Sequence, residues 1–188
     1  GQTRNPRQRD TASLALALKD DPRNYIHQNQ EADVIEFSGY RVCNTPNNAK
    51  FYVQSSGNDI VKNHLRAGVE WESELRQVIT KYAKPGSVAL DIGAHVGIHS
   101  VTMSRVVGEK GSVYAFEPQP KTYKELRINL ALNDCKNVFA LKVALGNERG
   151  SIGLAEPLPG NEGGRYISRK NPVEYVQITR LDDFDLDN

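Results

Sequence analysis

A segment near the middle of the chain restricts the possible folds more than any other part of the sequence. Residues 87–94 (SVALDIGA) are a short β-rich run that ends in a glycine turn. Residues 99–107 (HSVTMSRVV) follow with apolar side chains at helical spacing. A strand, a glycine turn and a helix in that order predict the first half of a βαβ unit.

The same order continues along the chain. Residues 112–118 (SVYAFEP) predict a second strand, and residues 137–146 (NVFALKVALG) predict a third. Between them, residues 120–134 predict an amphipathic helix, with Tyr123, Leu126, Leu130 and Leu132 on or near one face. Strands that alternate with helices of this length predict a parallel sheet in an α/β fold, with helices on both of its faces.

Two further helices are predicted before this sheet. Residues 60–68 (IVKNHLRAG) can be capped by Asp59 and end at Gly68. Residues 71–83 (WESELRQVITKYA) end before Pro85 and Gly86. The second of these helices places Leu75, Val78, Ile79 and Tyr82 at helical spacing.

We therefore divide the chain into an N-terminal part, residues 1–57, and a Rossmann-like domain, residues 58–188. The N-terminal part predicts a polar arm and a short helix over residues 11–21. A β-hairpin follows, whose strands are residues 34–42 and 49–55. At the other end of the chain, residues 156–172 predict a long loop rich in glycine and proline, and residues 173–184 a last strand with a turn.

Composition excludes several classes of protein. The 188 residues carry a formal net charge of +1, so nothing in the charge predicts a nucleic acid or an acidic membrane as partner. No run approaches the roughly 20 apolar residues of a membrane span, and a cytoplasmic location is expected. Cys43 and Cys135 form no metal-binding pattern and predict two free thiols rather than a disulfide.

The glycine turn predicts a nucleotide-like ligand. Gly93 and Gly97 let the backbone approach a ligand closely, and the following helix presents unpaired N–H groups. That much fits either a dinucleotide or S-adenosylmethionine. A dinucleotide fingerprint has glycine where this chain has Asp91, because the pyrophosphate approaches there. A carboxylate at that position would repel a diphosphate and attract the ammonium and sulfonium groups of S-adenosylmethionine.

A second acidic residue lies at the end of the next predicted strand. Glu117 follows the glycines by about 20 residues, the position at which a ribose is held through its hydroxyls. Its carboxylate can accept hydrogen bonds from both hydroxyls. This interaction does not separate S-adenosylmethionine from NAD.

With these motifs placed, residues from about Asn58 to Phe184 resemble the FkbM family of methyltransferases. The resemblance is carried by GVEWESEL, KPGSVALDIGAHVGIHSV, SVYAFEPQPKTYKELRINLALND, NVFALKVALGNERG, the NEGG turn and ITRLDDF. It implies a class I methyltransferase fold with S-adenosylmethionine as the cofactor. The position of His95 is often Asn in such turns. The residues that the resemblance places at the cofactor are Trp71, Glu72, Asp91, Gly93, Ala94, His95, Gly97, Glu117, Pro118 and Ala144.

A second and larger departure from the family pattern lies at the end of the chain. After LDDF, family members continue with a strand that carries an acidic D-x-E-G motif, whereas this chain ends at Asn188. We therefore expect the C-terminal strands of the sheet to be missing from it. A non-catalytic module that binds S-adenosylmethionine or a partner protein, and an NAD-dependent oxidoreductase, are the alternative functions.

The resemblance implies O-methylation of a sugar or another small hydroxylated molecule. Asp182 and Asp183 are weak candidates for the base, since a turn after a strand accounts for them as well. Arg165 and Tyr166, in the long loop, are candidates for contact with the acceptor. The sequence predicts neither the identity of the acceptor nor the oligomeric state.

Overall fold

A computed structural model describes residues 39–161, 164–168 and 170–186 of the chain. The helix predicted over residues 11–21 and the start of the first hairpin strand lie outside these residues. The described helices are α1 (Ile60–Arg66), α2 (Ser73–Tyr82), α3 (Ile98–Val107) and α4 (Pro120–Leu132). The strands are β1 (Tyr40–Asn44), β2 (Lys50–Gln54), β3 (Val88–Ile92), β4 (Ser112–Phe116), β5 (Val138–Leu141), β6 (Ala144–Leu145), β7 (Gly150–Leu154) and β8 (Glu174–Thr179).

The predicted parallel sheet is confirmed. Its strand order is β3-β4-β5, and both pairs of neighbours are parallel. The register places Asp91 opposite Ala115, and Phe116 opposite Leu141. Since parallel strands end at the same edge, the residues that follow β3, β4 and β5 come together there.

The two faces of this sheet are covered differently. Ala115 and Ala140 share a core with Val101 of α3 and Leu126 of α4, and Phe51 of β2 belongs to the same core. The opposite face carries Tyr114, Phe116 and Leu141, which cluster with Phe184 from the end of the described chain. The α3 and α4 helices thus cover one face, and a second helical layer is not among the described residues.

The hairpin and α1 are attached to this core. Strands β1 and β2 are antiparallel, as predicted, and the Asp59 side chain caps α1 by accepting the Lys62 N–H at 2.9 Å. Asn129 of α4 accepts the Tyr52 N–H at 2.6 Å and donates to the Val96 carbonyl at 2.9 Å. One buried amide therefore ties the hairpin to the glycine turn.

The predicted third strand is interrupted. It ends at Leu141, and Ala144–Leu145 instead pair in parallel with β8, in a small sheet of order β6-β8-β7. Strand β7, which the sequence did not predict, pairs antiparallel with β8. Gly153 of β7 packs very closely against Pro172. A Cβ at this position would come within 2.3 Å of the proline side chain, so a larger residue does not fit. Such glycines weaken the strand pattern in the sequence.

Several predicted apolar contacts differ in the structure. Helix α2 forms as predicted, but only Ile79 of its four apolar positions is buried, whereas Leu75, Val78 and Tyr82 are exposed. Leu132, at the end of α4, is also exposed, while Leu126 and Leu130 are buried.

The two cysteines are buried and free. Within the described residues, no helix has the length and apolar character to cross a membrane.

Candidate functional site

The glycine turn between β3 and α3 contains both glycines in left-handed backbone conformations. The φ angle is 83° at Gly93 and 92° at Gly97, which favours glycine at both positions. A Cβ at Gly97 would also come within 2.7 Å of the Leu126 side chain, so α4 packs closely against this glycine. A Cβ at Gly93 would meet nothing within 4 Å, so this side of the turn is open.

The turn is held by the end of the next strand. The N–H groups of Gly93 and Ala94 both donate to the Phe116 carbonyl at 2.9 Å. The His95 N–H donates to Oε2 of Glu117 at 2.9 Å, and the Gln119 N–H donates to Oε1 at 2.9 Å. Glu117 is thus buried and fixes the turn, a structural role that its position in the sequence did not predict.

Asp91 is the second buried carboxylate of the site. Its Oδ2 accepts a short hydrogen bond from the Ser100 hydroxyl in α3. Ser100 was missed by the sequence analysis. Its signal is its place near the start of the helix that follows the turn, nine residues after Asp91.

Burial dominates the electrostatics of both carboxylates. Desolvation raises the pKa of Asp91 above its usual value of 3.8, against the Ser100 hydrogen bond and the charge of His99, which lower it. Desolvation also raises the pKa of Glu117 above 4.5, against its two backbone hydrogen bonds, and the negative charge of Asp91 adds to the increase. A cation between these side chains would relieve both costs.

The predicted Trp71–Glu72 pair lies at the start of α2. Glu72 has a left-handed φ of 48°, and its Oε2 is 2.9 Å from Nε2 of His99 in α3. The structure therefore brings Glu72 to the helix that also carries Ser100. Trp71 contacts His64 of α1 edge to face, with ring centroids 4.9 Å apart.

The remaining predicted cofactor residues lie near the same edge of the sheet. Pro118 is half-buried between β4 and α4. Ala144 is half-buried and pairs with Ile178 in the small sheet, just beyond the end of β5. Their contact with a cofactor stays a prediction.

The acceptor and base candidates lie elsewhere in the chain. Arg165 donates to Glu174 at 2.6 Å, and Tyr166 is exposed. Asp183 accepts hydrogen bonds from Arg149, Arg180 and Thr179, and the two arginines lower its pKa. A carboxylate held in this way is a weak base, so the turn interpretation accounts for Asp183.

The family model described as the methyltransferase FkbM domain matches residues 91–188, just over half of the chain. Methyltransferase sdnD of Sordaria araneosa is 40% identical over 75 residues, which cover 38% of this chain and 29% of that protein. Methyltransferase 1 of Beauveria bassiana (strain ARSEF 2860) is 28% identical over 92 residues, which cover 48% of this chain and 36% of that protein.

Among solved structures, a SAM-dependent methyltransferase from Aquifex aeolicus is similar, with a TM-score of 0.36 and 29% sequence identity. The similarity covers 45% of this chain and 42% of that one. The chain spans only about a third of the length of the two curated relatives that it matches. The family model matches more than half of the chain, and this shows the family: this chain belongs to the FkbM methyltransferase domain family.

Proposed function

We propose that the chain binds S-adenosylmethionine at the glycine turn and transfers its methyl group to a hydroxyl of a sugar or another small molecule. Membership of a methyltransferase family supports the reaction class. The observation that carries the cofactor assignment is the pair of buried carboxylates, Asp91 and Glu117, on either side of an open glycine turn.

The chemistry of this pair fits a cationic nucleoside. Each Glu117 oxygen accepts one backbone N–H, and a carboxylate oxygen can accept a further hydrogen bond, so the side chain can also receive ribose hydroxyls. The raised pKa of Asp91 reflects a desolvated negative charge that a sulfonium or ammonium would offset. The pyrophosphate of NAD would add negative charge at the same place, which argues against a dehydrogenase.

Bound S-adenosylmethionine supplies an activated methyl group for direct displacement. The chain's own contribution is to hold the cofactor, orient it and exclude water, and positioning of this kind accounts for much of the catalysis in such reactions. We assign no base. Asp183 is unsuitable because its arginine partners stabilise the ionised form.

Calorimetric titration of the protein with S-adenosylhomocysteine and, separately, with NADH tests the cofactor assignment. We expect binding of S-adenosylhomocysteine and no response to NADH. Tight binding of NADH with no response to S-adenosylhomocysteine would instead assign the site to an oxidoreductase.

The acceptor is tested by transfer of a tritiated methyl group from S-adenosylmethionine to a panel of sugars, small hydroxylated molecules and RNA. We expect label in the sugars or small molecules. Label in RNA alone would refute the proposed acceptor class. Binding of S-adenosylhomocysteine with no transfer to any member of the panel would favour the non-catalytic module.

A further inference from the structure

The imidazole of His99 contacts one acidic side chain of the site and lies near a second. Its Nε2 is 2.9 Å from Oε2 of Glu72, and the ring lies close enough to Asp91 that a positive charge on it would lower the pKa of that carboxyl. The side chain is 20% exposed. Its second ring nitrogen, Nδ1, is buried and has no hydrogen-bond partner within the part of the chain that the structure describes.

The partner of Nε2 determines what Nδ1 can do. A carboxylate accepts hydrogen bonds, so Nε2 carries the proton that it shares with Glu72. In the neutral imidazole, Nδ1 then has a lone pair and acts as an acceptor. A buried acceptor without a donor is costly, and such groups in folded proteins generally have a partner.

The surroundings indicate the kind of donor that would fit. Glu72 and Asp91 are both acidic, so a cation is favoured and an anion is repelled. An alkylammonium group is a cationic N–H donor, which matches an acceptor nitrogen of His99 in acidic surroundings. No second basic side chain hydrogen-bonds to Glu72 or Asp91 among the described contacts.

We propose that His99 binds the α-ammonium group of the cofactor's amino-acid part through Nδ1, and that its Nε2 holds the Glu72 carboxylate in place as a counter-charge. The proposal rests on the proposed function, because it assigns a part of the same cofactor to these residues. The left-handed backbone at Glu72 supports the positioning role. A non-glycine residue in that conformation is strained and depends on its surroundings to hold it.

The test compares two ligands that differ in this part. S-adenosylhomocysteine carries the α-ammonium group, and 5′-methylthioadenosine carries the same nucleoside without the amino acid. We expect His99→Leu in the intact protein to weaken S-adenosylhomocysteine binding roughly tenfold, as measured by calorimetry. The affinity for 5′-methylthioadenosine should change less than about twofold, because the ribose and adenine contacts are retained.

Three further variants make the result specific. His99→Gln keeps an N–H donor and a carbonyl acceptor, so it should recover most of the lost affinity. Glu72→Ala should reproduce the selective loss, and it changes a side chain that is 46% exposed, which keeps the test valid if His99→Leu folds poorly. Met103→Leu, one helical turn further along α3, is the matched control and should leave both affinities unchanged.

Equal weakening of both ligands by His99→Leu would show a merely structural role and overturn the proposal. So would no weakening of either ligand, or a His99→Gln variant that recovers nothing. Failure of the unmodified protein to bind either ligand would overturn the proposed function itself, and is thereby distinguishable from failure of the His99 assignment.

Discussion

Glu117 accepts the N–H groups of His95 and Gln119, so its side chain both shapes the glycine turn and lies at the predicted ribose position. We expect Glu117→Ala to weaken S-adenosylhomocysteine binding by roughly 1–3 kcal/mol, the scale of a lost charged hydrogen bond. Unlike His99→Leu, it should weaken 5′-methylthioadenosine equally, because that ligand keeps the ribose. Calorimetry measures both affinities.

The matched control for this variant is Glu109→Ala. Glu109 is an exposed acidic residue in the loop between α3 and β4, away from the turn. The Glu109→Ala variant should bind both ligands as the unmodified protein does. Unchanged affinities in Glu117→Ala would remove Glu117 from the site, and a loss confined to S-adenosylhomocysteine would place it at the amino-acid part instead.

The residues of the site differ in how far the sequence could predict them. Asp91 and Glu117 were predicted as candidates because Asp91 lies near the end of a recognisable strand just before the glycines and Glu117 directly follows the next strand. Ser100 and His99 were not predicted as site residues, because a serine or histidine in an apolar helix is compatible with simple packing. They contact Asp91 and Glu72 respectively, and the contact of His99 with Glu72 spans 27 residues of sequence.

At the scale of elements, the helices and strands of the βαβ units were predicted because their periodicity is strong. Strand β7 was missed because glycines interrupt its pattern, and the third predicted strand was too long because Ala144 and Leu145 remain apolar after the chain has changed sheets. The sequence also could not predict the exposure of Leu75, Val78 and Tyr82. The spacing of apolar residues shows that they share one face of a helix, but it does not show whether another element packs against that face.

The attachment of α1 to α4 gives a prediction at this scale. Nζ of Lys62 is 2.8 Å from Oε2 of Glu125, and both side chains are almost fully buried. Lys62→Met would remove this cation from the buried Glu125 carboxylate. We therefore expect the free energy of unfolding, measured by urea denaturation, to fall by about 3–5 kcal/mol.

The double variant Lys62→Met/Glu125→Met separates the ion pair from general packing. Removing both charges should restore much of the lost stability, because apolar side chains of similar size can replace a buried ion pair. Lys136→Met removes the cation of an exposed pair with Asp134 and should change stability by less than about 0.5 kcal/mol. A double variant as unstable as the single one would show that packing, not the buried charge, explains the loss.

At the scale of the whole molecule, pH acts on stability through carboxylates whose pKa values are displaced in opposite directions. Burial raises the pKa of Asp91 and Glu117, whereas the arginine partners of Asp183 lower its pKa below the usual 3.8. Between pH 3.8 and the raised value, the folded protein binds more protons at Asp91 than the unfolded chain does. Asp91 therefore costs stability at neutral pH, and this cost decreases as the pH falls. The stability that Asp183 contributes is present above pH 3.8 and is lost only below it.

We accordingly expect Asp91→Asn to raise the free energy of unfolding of the ligand-free protein at pH 7, since the amide oxygen can still accept the Ser100 hydrogen bond without a buried charge. The gain should shrink as the pH falls toward 3.8, because protonation then removes the same charge from the unmodified protein. Asp183→Asn should be destabilising by a nearly constant amount from pH 7 to about pH 4.5. Urea denaturation across this range measures both variants.

A less stable Asp91→Asn variant at every pH would contradict the idea that the site holds an unfavourable negative charge ready for a cation. A gain in stability accompanied by weaker binding of S-adenosylhomocysteine would show that this charge is retained for the ligand rather than for the fold.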